Sequence, residues 1–196
     1  MIEADIKRYK KILKSRLDEK RYYHSLCVAD EAKRLSGIYG ADREKMYIAG
    51  LLHDVTKNCS NTEQLQILEN SAIILSADEK ASPPIWHAIT GAEFVKNELK
   101  IEDKEIVTAI RYHTTGKADM TLEQKILFVA DLTSKDRTYS DIDEIRKKAD
   151  ASLDEAMLDI LKFTITNLVS KGKPVHSSTL DAYNWLVIKG DKNGIV

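Results

Sequence analysis

The sequence has few residues that end regular structure and few that could form disulfides. Its 196 residues include eight glycines, three prolines and two cysteines. Scarce Gly and Pro disfavour a protein of many short strands, because each connection between strands needs turn residues. Cys27 and Cys59 have no CxxC spacing, so we expect reduced thiols rather than a disulfide or a thiolate metal site.

Long apolar runs and an excess of charge of either sign are also missing. No stretch approaches the length of a membrane span, and the N-terminal segment lacks the apolar centre of a signal peptide. The chain carries 30 Lys+Arg against 31 Asp+Glu, a formal net charge of −1. A near-neutral chain has no broad basic surface for nucleic acid or for an anionic membrane. We therefore expect a cytoplasmic protein with neither as a partner.

Apolar residues recur at helical spacing along the chain, while the alternation typical of strands is almost absent. Ile2, Ile6, Tyr9, Leu13 and Leu17 predict a first amphipathic helix. Later helices have recognisable start signals, including hydroxyl residues followed three positions later by Glu or Gln, which is the capping-box pattern. The predicted N-caps of these later helices are Asp42, Ser60, Ser76, Asp103, Thr121 and Ser152.

The sequence thus predicts an all-α protein with a single domain over residues 1–196. A helical core at about 20–135 is expected to support C-terminal helices at about 141–188. Trp86 and Trp185 are expected in the core rather than stacked on a nucleotide base.

Histidines and aspartates lie beside apolar residues at several predicted helix ends. His53 and Asp54 follow an apolar run, where burying an imidazole with a carboxylate requires a compensating partner such as a metal ion. Further members of the series are His24, His87, His113 and Asp131. Each alone is compatible with a core side chain bonded to the backbone. Together they predict a site for one or two first-row divalent metals.

Six segments carry a specific combination of motifs. They are HSLCVADEAKRLS (24–36), IAGLLHDVTK (48–57), WHAITGA (86–92), AIRYHTTG (109–116), KILFVAD (125–131) and GKPVHSSTLDAYNWL (172–186). The combination resembles the HD superfamily of metal-dependent phosphohydrolases, and more closely its symmetrical bis(5′-nucleosyl)-tetraphosphatases. The resemblance extends over about residues 5–188. It implies an HD-domain helical bundle that hydrolyses diadenosine tetraphosphate to two ADP with metal-activated water.

The resemblance also implies the metal ligands. His24, His53, Asp54 and Asp131 match the signature and would bind a first ion. The two further histidines, His87 and His113, would complete a second metal site or hold phosphate oxygens. Asp54 is the natural bridging ligand, because a carboxylate has two oxygens whereas each imidazole nitrogen binds one metal. Family resemblance favours iron, and the mixed nitrogen and oxygen ligands also suit Mn, Co or Zn.

The same resemblance implies the substrate contacts. The catalytic set would be Asp54, Lys57, His87 and His113. Lys57, almost one helical turn after Asp54, and Arg137 would contact phosphate, because both carry positive charge near the ligands. The substrate-binding set would be His24, Lys57, His87, His113, Thr114, Arg137, His176, Thr179 and Tyr183, the last three enclosing an ADP-like half of the dinucleotide.

Two positions depart from the family pattern. The sequence reads LTSKDR after Asp131, where relatives have an aromatic residue, an acidic residue and a Pro–Gly pair before the Arg. Asp136 could weaken the phosphate contact of its neighbour Arg137 or orient it. Near the C-terminus, Tyr183 precedes Asn184 where an Arg is common. Both changes affect the expected substrate contacts and leave the metal ligands intact.

Two other functions and one assembly question remain open at this stage. An HD phosphohydrolase could act instead on a nucleoside monophosphate, a cyclic dinucleotide or an alarmone. A non-catalytic sensor that binds metal or nucleotide would share most of the motifs, although the complete ligand set argues against it. An exposed face of the first helix could also form a homodimer.

Overall fold

The structure, a computed structural model, describes residues 2–192, and the regular elements in that range are all helical, as the sequence predicts. The α-helices are α1 (Ile2–Arg16), α2 (Glu19–Tyr39), α3 (Arg43–Leu52), α4 (Asn61–Asn70), α5 (Ala77–Lys80), α6 (Trp86–Asn97), α7 (Lys104–Tyr112), α8 (Leu122–Thr133), α9 (Ile142–Ala151), α10 (Leu153–Ser170) and α11 (Ser177–Lys192). A 3₁₀ helix, Pro83–Ile85, precedes α6. Met1 and residues 193–196 of the predicted domain lie outside the described residues.

Local capping determines most helix starts. Ser60, Ser76 and Thr121 form the predicted capping boxes, with hydroxyl and carboxylate or amide bonded reciprocally to backbone N–H groups. At Ser152 the prediction of a box is wrong. Its hydroxyl accepts from the Glu155 N–H, but its own N–H already donates to the Lys148 carbonyl at 2.7 Å, because Ser152 also ends α9.

Two helices are longer than their apolar patterns indicate. Helix α2 begins at Glu19 rather than at His24, because Asp18 accepts the Arg21 N–H at 2.8 Å and caps an earlier turn. It ends at Gly40, whose φ of 76° is the left-handed conformation that glycine adopts without strain. Helix α11 extends beyond the predicted range of Ser178 to Ile188 at both ends.

The main hydrophobic core lies among α2, α3, α7 and α8, and α1, α10 and α11 also contribute to it. Its members with no solvent exposure include Leu13, Leu35, Leu52, Leu127 and Leu161. Trp86 is buried as predicted, in a smaller cluster with Leu68, Leu75 and Ile89. The prediction for Trp185 is wrong, because it is 41% exposed. Helix α11 packs through Leu186, and the adjacent position on a helix is turned by about 100°.

Helices α2 and α3 approach each other closely at Gly50. A Cβ at this position would lie 2.7 Å from the Cα of Ala29, which is shorter than side chains tolerate. The glycine therefore allows the end of α3, where His53 lies, to pack directly against α2. Within the described range, each helix is too short or too polar to cross a membrane.

Candidate metal centre

Five helices and one turn bring the six predicted ligand residues to one place. His24 lies in α2 and Asp131 in α8. His53 and His113 occupy the C-cap positions of α3 and α7, where a side chain can point beyond the end of the helix. The ring centroids of His24 and His53 are 5.3 Å apart, those of His53 and His113 5.0 Å, and those of His87 and His113 5.1 Å.

The first group of donor atoms comprises one oxygen and two imidazole nitrogens. Nε2 of His24 lies 2.9 Å from Oδ1 of Asp131, and Nε2 of His53 lies 3.9 Å from the same oxygen. All three atoms fall within 4.8 Å of one another, a separation that one metal ion can span. These are three of the four residues that sequence analysis assigned to a first metal; the fourth is Asp54.

Asp54 connects this group to the remaining histidines. Its Oδ2 lies 3.3 Å from Nε2 of His53, while its Oδ1 lies 3.2 Å from Nε2 of His87 and 3.9 Å from Nε2 of His113. The two oxygens thus face different imidazoles. This is the arrangement that a carboxylate shared between two ions requires.

Backbone carbonyls orient three of the four imidazoles. In each case Nδ1 donates to the carbonyl three residues earlier, which fixes the ring within its own helical turn. The distances are 2.7 Å for His53 to Gly50, 2.8 Å for His87 to Pro84 and 2.7 Å for His113 to Ile110. Because a carbonyl only accepts, the proton is on Nδ1 and the Nε2 lone pair is available as a ligand.

The Nε2 atom of His53 tests whether the site suits a metal. It is completely buried and has no hydrogen-bond partner, although two carboxylates lie nearby. Leaving such an atom unsatisfied costs about 1–3 kcal/mol, and coordination to a cation removes that cost. The combination of imidazole nitrogens and carboxylate oxygens matches first-row divalent metals. The residues at this site therefore suit a divalent metal ion.

Electrostatics keeps Asp54, Asp131, His87 and His113 in the forms that bind metal, whereas at His53 burial opposes protonation but Asp54 and Asp131 outweigh it and raise the pKa. Burial opposes ionisation of Asp54 and Asp131, but neighbouring histidines, together with Arg137 beside Asp131, hold both pKa values below the usual range. Burial lowers the pKa of His87, and burial together with the nearby histidines lowers the pKa of His113 to about 3. Ionised carboxylates and neutral imidazoles are the states from which metals are bound.

Two cations contact opposite ends of the cluster. Nζ of Lys57 lies 3.2 Å from both ring nitrogens of His87, and burial lowers the pKa of Lys57. Nη2 of Arg137 donates to Oδ1 of Asp131 at 2.6 Å and lies 3.3 Å from Nε2 of His24. The sequence interpretation brought Lys57 to the site by helical spacing from Asp54, which is wrong. Helix α3 ends at Leu52, and Lys57 lies in the turn that follows.

The chain matches the profile described as the HD domain over residues 21–136, which includes the whole ligand cluster. The chain belongs to the HD-domain family. It is 37% identical over 175 residues to the symmetrical bis(5′-nucleosyl)-tetraphosphatase of Bacillus subtilis, covering 89% of this chain and 94% of the relative. With the enzyme of the same name from Halalkalibacterium halodurans, identity is 35% over 182 residues, or 91% and 95% of the two chains. These relatives confirm the closer resemblance that the motifs indicate.

A solved structure confirms the fold of this HD-domain hydrolase. A crystal structure from Clostridium acetobutylicum, described as that of a predicted HD-superfamily hydrolase involved in NAD metabolism, superposes with a TM-score of 0.92 and 36% identity. The match covers 94% of this chain and 97% of the other. Hydrolases with an HD domain depend on divalent metals, and the His and Asp cluster lies where such a domain needs it.

Sequence analysis missed the contact that orients the fourth histidine. Nδ1 of His24 lies 2.8 Å from Oδ2 of Asp136, whose Oδ1 accepts the Ser134 hydroxyl at 2.7 Å. Asp136 therefore bonds to His24 and Ser134, and its effect on the phosphate contact of Arg137 stays a prediction. His24 and Asp136 are 112 positions apart, and no local sequence pattern reveals their contact.

Sequence analysis also missed the contact of Arg21 with the ligand cluster. Its Nη1 donates to Oδ2 of Asp54 at 2.7 Å. Arg21 precedes His24 by three positions on α2, so both side chains extend from the same face of the helix. That spacing is a signal that could have indicated the contact.

A cavity of about 540 Å³ borders the Lys57 end of the cluster. Thr114, His176 and Thr179, which sequence analysis assigned to substrate binding, all line it. The Oγ1 of Thr114 and the Nε2 of His176 are buried without hydrogen-bond partners, so a ligand could satisfy both. Tyr183 is placed differently: it is half-buried and packs against the main core rather than lining this cavity.

Proposed function

We propose that this HD-domain enzyme hydrolyses the central phosphoanhydride bond of a dinucleoside tetraphosphate, with diadenosine tetraphosphate as the substrate and two ADP as products. The observation that carries the proposal is the position of the ligand cluster between Lys57 and Arg137. A tetraphosphate whose centre lies at the cluster extends toward a cation on each side. Relatives named symmetrical bis(5′-nucleosyl)-tetraphosphatase, matched over nearly their whole length, support the same reaction.

The ligand roles follow the donor groups. His24, His53 and Asp131 would hold one divalent ion, His87 and His113 a second, and Asp54 would contribute an oxygen to each. Bound divalent ions polarise phosphoryl oxygens and lower the pKa of a coordinated water from about 15.7 toward roughly 7. We propose iron from the family resemblance, and the nitrogen and oxygen donors accommodate it.

The protein's own cations bind the phosphate chain. Arg137 presents a planar guanidinium suited to two phosphate oxygens, whereas Lys57 presents a compact ammonium. Arg21 would contribute a third positive charge when its guanidinium leaves Asp54 and contacts a phosphate of the substrate. These charges stabilise the phosphoryl group during transfer, when negative charge spreads over its oxygens. In the net reaction, water adds its oxygen to one inner phosphorus and the bridging oxygen leaves with the other ADP.

One ADP half would occupy the cavity beside Lys57. Within it, Nδ1 of His176 accepts the Ser178 N–H at 3.1 Å, so the proton of the neutral ring is on Nε2. The nearest carboxylate oxygen, Oδ2 of Asp78, is 3.6 Å from that nitrogen, beyond hydrogen-bonding distance. His176 therefore has an N–H available for an acceptor on the nucleotide.

Product analysis tests the proposal. Purified protein loaded with iron or manganese should convert diadenosine tetraphosphate to ADP alone, and His53→Ala should remove the activity. Formation of AMP and ATP, or recovery of intact substrate, would contradict symmetrical hydrolysis. Turnover of a cyclic dinucleotide or a nucleoside monophosphate instead would identify a different HD phosphohydrolase.

A further inference from the structure

A second cavity borders the Arg137 end of the ligand cluster. Its volume is about 500 Å³, close to the 540 Å³ of the cavity beside Lys57. Arg137 lines it and also contacts Asp131 and His24, so the guanidinium links this cavity to the metal centre. Thr164 of α10 lines both cavities, which are therefore neighbours on one side of the molecule.

The aromatic side chains of this cavity suit a planar ligand. Phe163 lies on α10 and is 70% exposed. Tyr139 also lines the cavity, and its hydroxyl donates to the Leu132 carbonyl at 2.7 Å, which fixes the ring. Exposed aromatic rings are the surfaces on which nucleobases stack.

The charged groups of the cavity favour a nucleoside over further phosphates. Asp141, Glu144 and Asp159 line it, with Lys162 as a cation besides Arg137. Carboxylates repel phosphate but accept hydrogen bonds from ribose hydroxyls and from the adenine amino group. The positive charge that a phosphate needs is supplied by Arg137, which also contacts the ligand residues Asp131 and His24.

We propose that this cavity is the subsite for the second nucleoside of the dinucleoside tetraphosphate. The inference rests on the proposed function. It makes the site nearly symmetrical, with a cation and a nucleoside cavity at each end of the ligand cluster, and so explains why the bond that breaks is the central one. A third cavity of about 350 Å³ also borders Lys57 and His87, but it lies at the end already assigned.

The test compares substrates with two nucleosides and with one. Iron-loaded or manganese-loaded full-length protein is assayed for kcat/KM with diadenosine tetraphosphate. The inhibition constant of adenosine 5′-tetraphosphate, which lacks the second nucleoside, is measured against the same reaction. Variants are Phe163→Ala, Phe163→Trp and Val169→Ala, the last a matched truncation of an α10 residue that is 63% exposed and does not line the cavity.

Phe163→Ala should lower kcat/KM for the dinucleotide about 5- to 150-fold, the range of one base–aromatic stacking contact. In the same variant the inhibition constant of adenosine 5′-tetraphosphate should stay within about twofold of the wild-type value. Phe163→Trp should restore kcat/KM for the dinucleotide. Val169→Ala should match the wild type in both measurements.

Three results would overturn the assignment, and they can be distinguished. Equal behaviour of Phe163→Ala and Val169→Ala, or equal losses for the two ligands, would exclude the subsite while leaving the proposed function intact. Wild-type protein that forms no ADP from diadenosine tetraphosphate would overturn the proposed function, and the subsite with it.

Discussion

His24 and Asp136 form a direct contact beside the candidate metal centre, with Nδ1 of the imidazole 2.8 Å from Oδ2 of the carboxylate. The other three imidazoles of the cluster are each held by a backbone carbonyl of their own helical turn. His24 is held by a side chain from the segment after α8. Its orientation can therefore be changed by substitution without altering a ligand. A carboxylate partner also makes an imidazole a stronger ligand than a carbonyl does.

Replacement of Asp136 should weaken metal binding. Asp136→Ala removes the partner of His24 Nδ1, and we expect metal affinity to fall about 10- to 100-fold, as for other orienting contacts around metal sites. Asp136→Asn retains an acceptor oxygen and should recover part of the loss. Competition titrations against a chelating indicator measure both. Asp30→Ala, at an exposed position of α2, is the control. Unchanged affinity in Asp136→Ala would show that His24 does not need this contact.

Substitutions of Lys57 and of His53 should differ in their effects on metal binding. Lys57→Ala removes a positive charge beside His87 but no ligand, so metal content should be retained. Turnover of diadenosine tetraphosphate should fall about 10- to 150-fold, equivalent to a charge-assisted bond of about 1.5–3 kcal/mol. His53→Ala should lose both metal and activity. Elemental analysis and steady-state kinetics on the same samples test this, and loss of metal from Lys57→Ala would contradict the role assigned to the lysine.

Gly50 should be intolerant of even a single methyl group. Gly50→Ala places a Cβ 2.7 Å from the backbone of Ala29, and backbone cannot yield as a flexible side chain does. We expect a loss of about 1–3 kcal/mol in the free energy of unfolding. Gly37→Ala is the matched control within α2, since its Cβ would meet only the side chain of Arg43 at 3.4 Å. It should be neutral or stabilising by about 0.5–1 kcal/mol because alanine favours helix. Urea denaturation measures both, and equal stability of the two variants would exclude the close helix contact.

Glu79 should make stability depend on pH. Burial raises its pKa, but bonds from the Ser76 N–H at 2.8 Å and from Arg111 at 2.6 Å outweigh burial and lower it overall. A lowered native pKa means that the stabilisation is complete above the unfolded-state value of about 4.3 and is lost as the pH falls through the native value. Glu79→Gln should therefore cost about 1–3 kcal/mol at neutral pH, and the difference from wild type should shrink below about pH 4.3.

Denaturation curves across that pH range provide the measurement for Glu79. Glu69→Gln, which changes an exposed carboxylate on α4, should stay within about 0.5 kcal/mol of wild type throughout. A Glu79→Gln deficit that is constant with pH would indicate lost packing rather than a lost charge interaction.

The helical fold could be predicted because its signals are local. Three capping boxes formed where an N-cap hydroxyl and a Glu or Gln stand three residues apart. Two predictions made from local signals were wrong, because each depended on a neighbouring residue. Ser152 ends one helix as well as starting the next, and Trp185 lies one position away from the buried face of α11.

By itself, the sequence determined the helical class and the family and identified six candidate ligand residues, because helical period, caps and motif spacing are properties of short segments. Only the tertiary structure decided how those residues face one another. It divides the oxygens of Asp54 between two sets of imidazoles, pairs His24 with Asp136, and places Lys57 by a turn rather than by a helix. These contacts join segments distant in the chain, and packing of the helices alone fixes their distances.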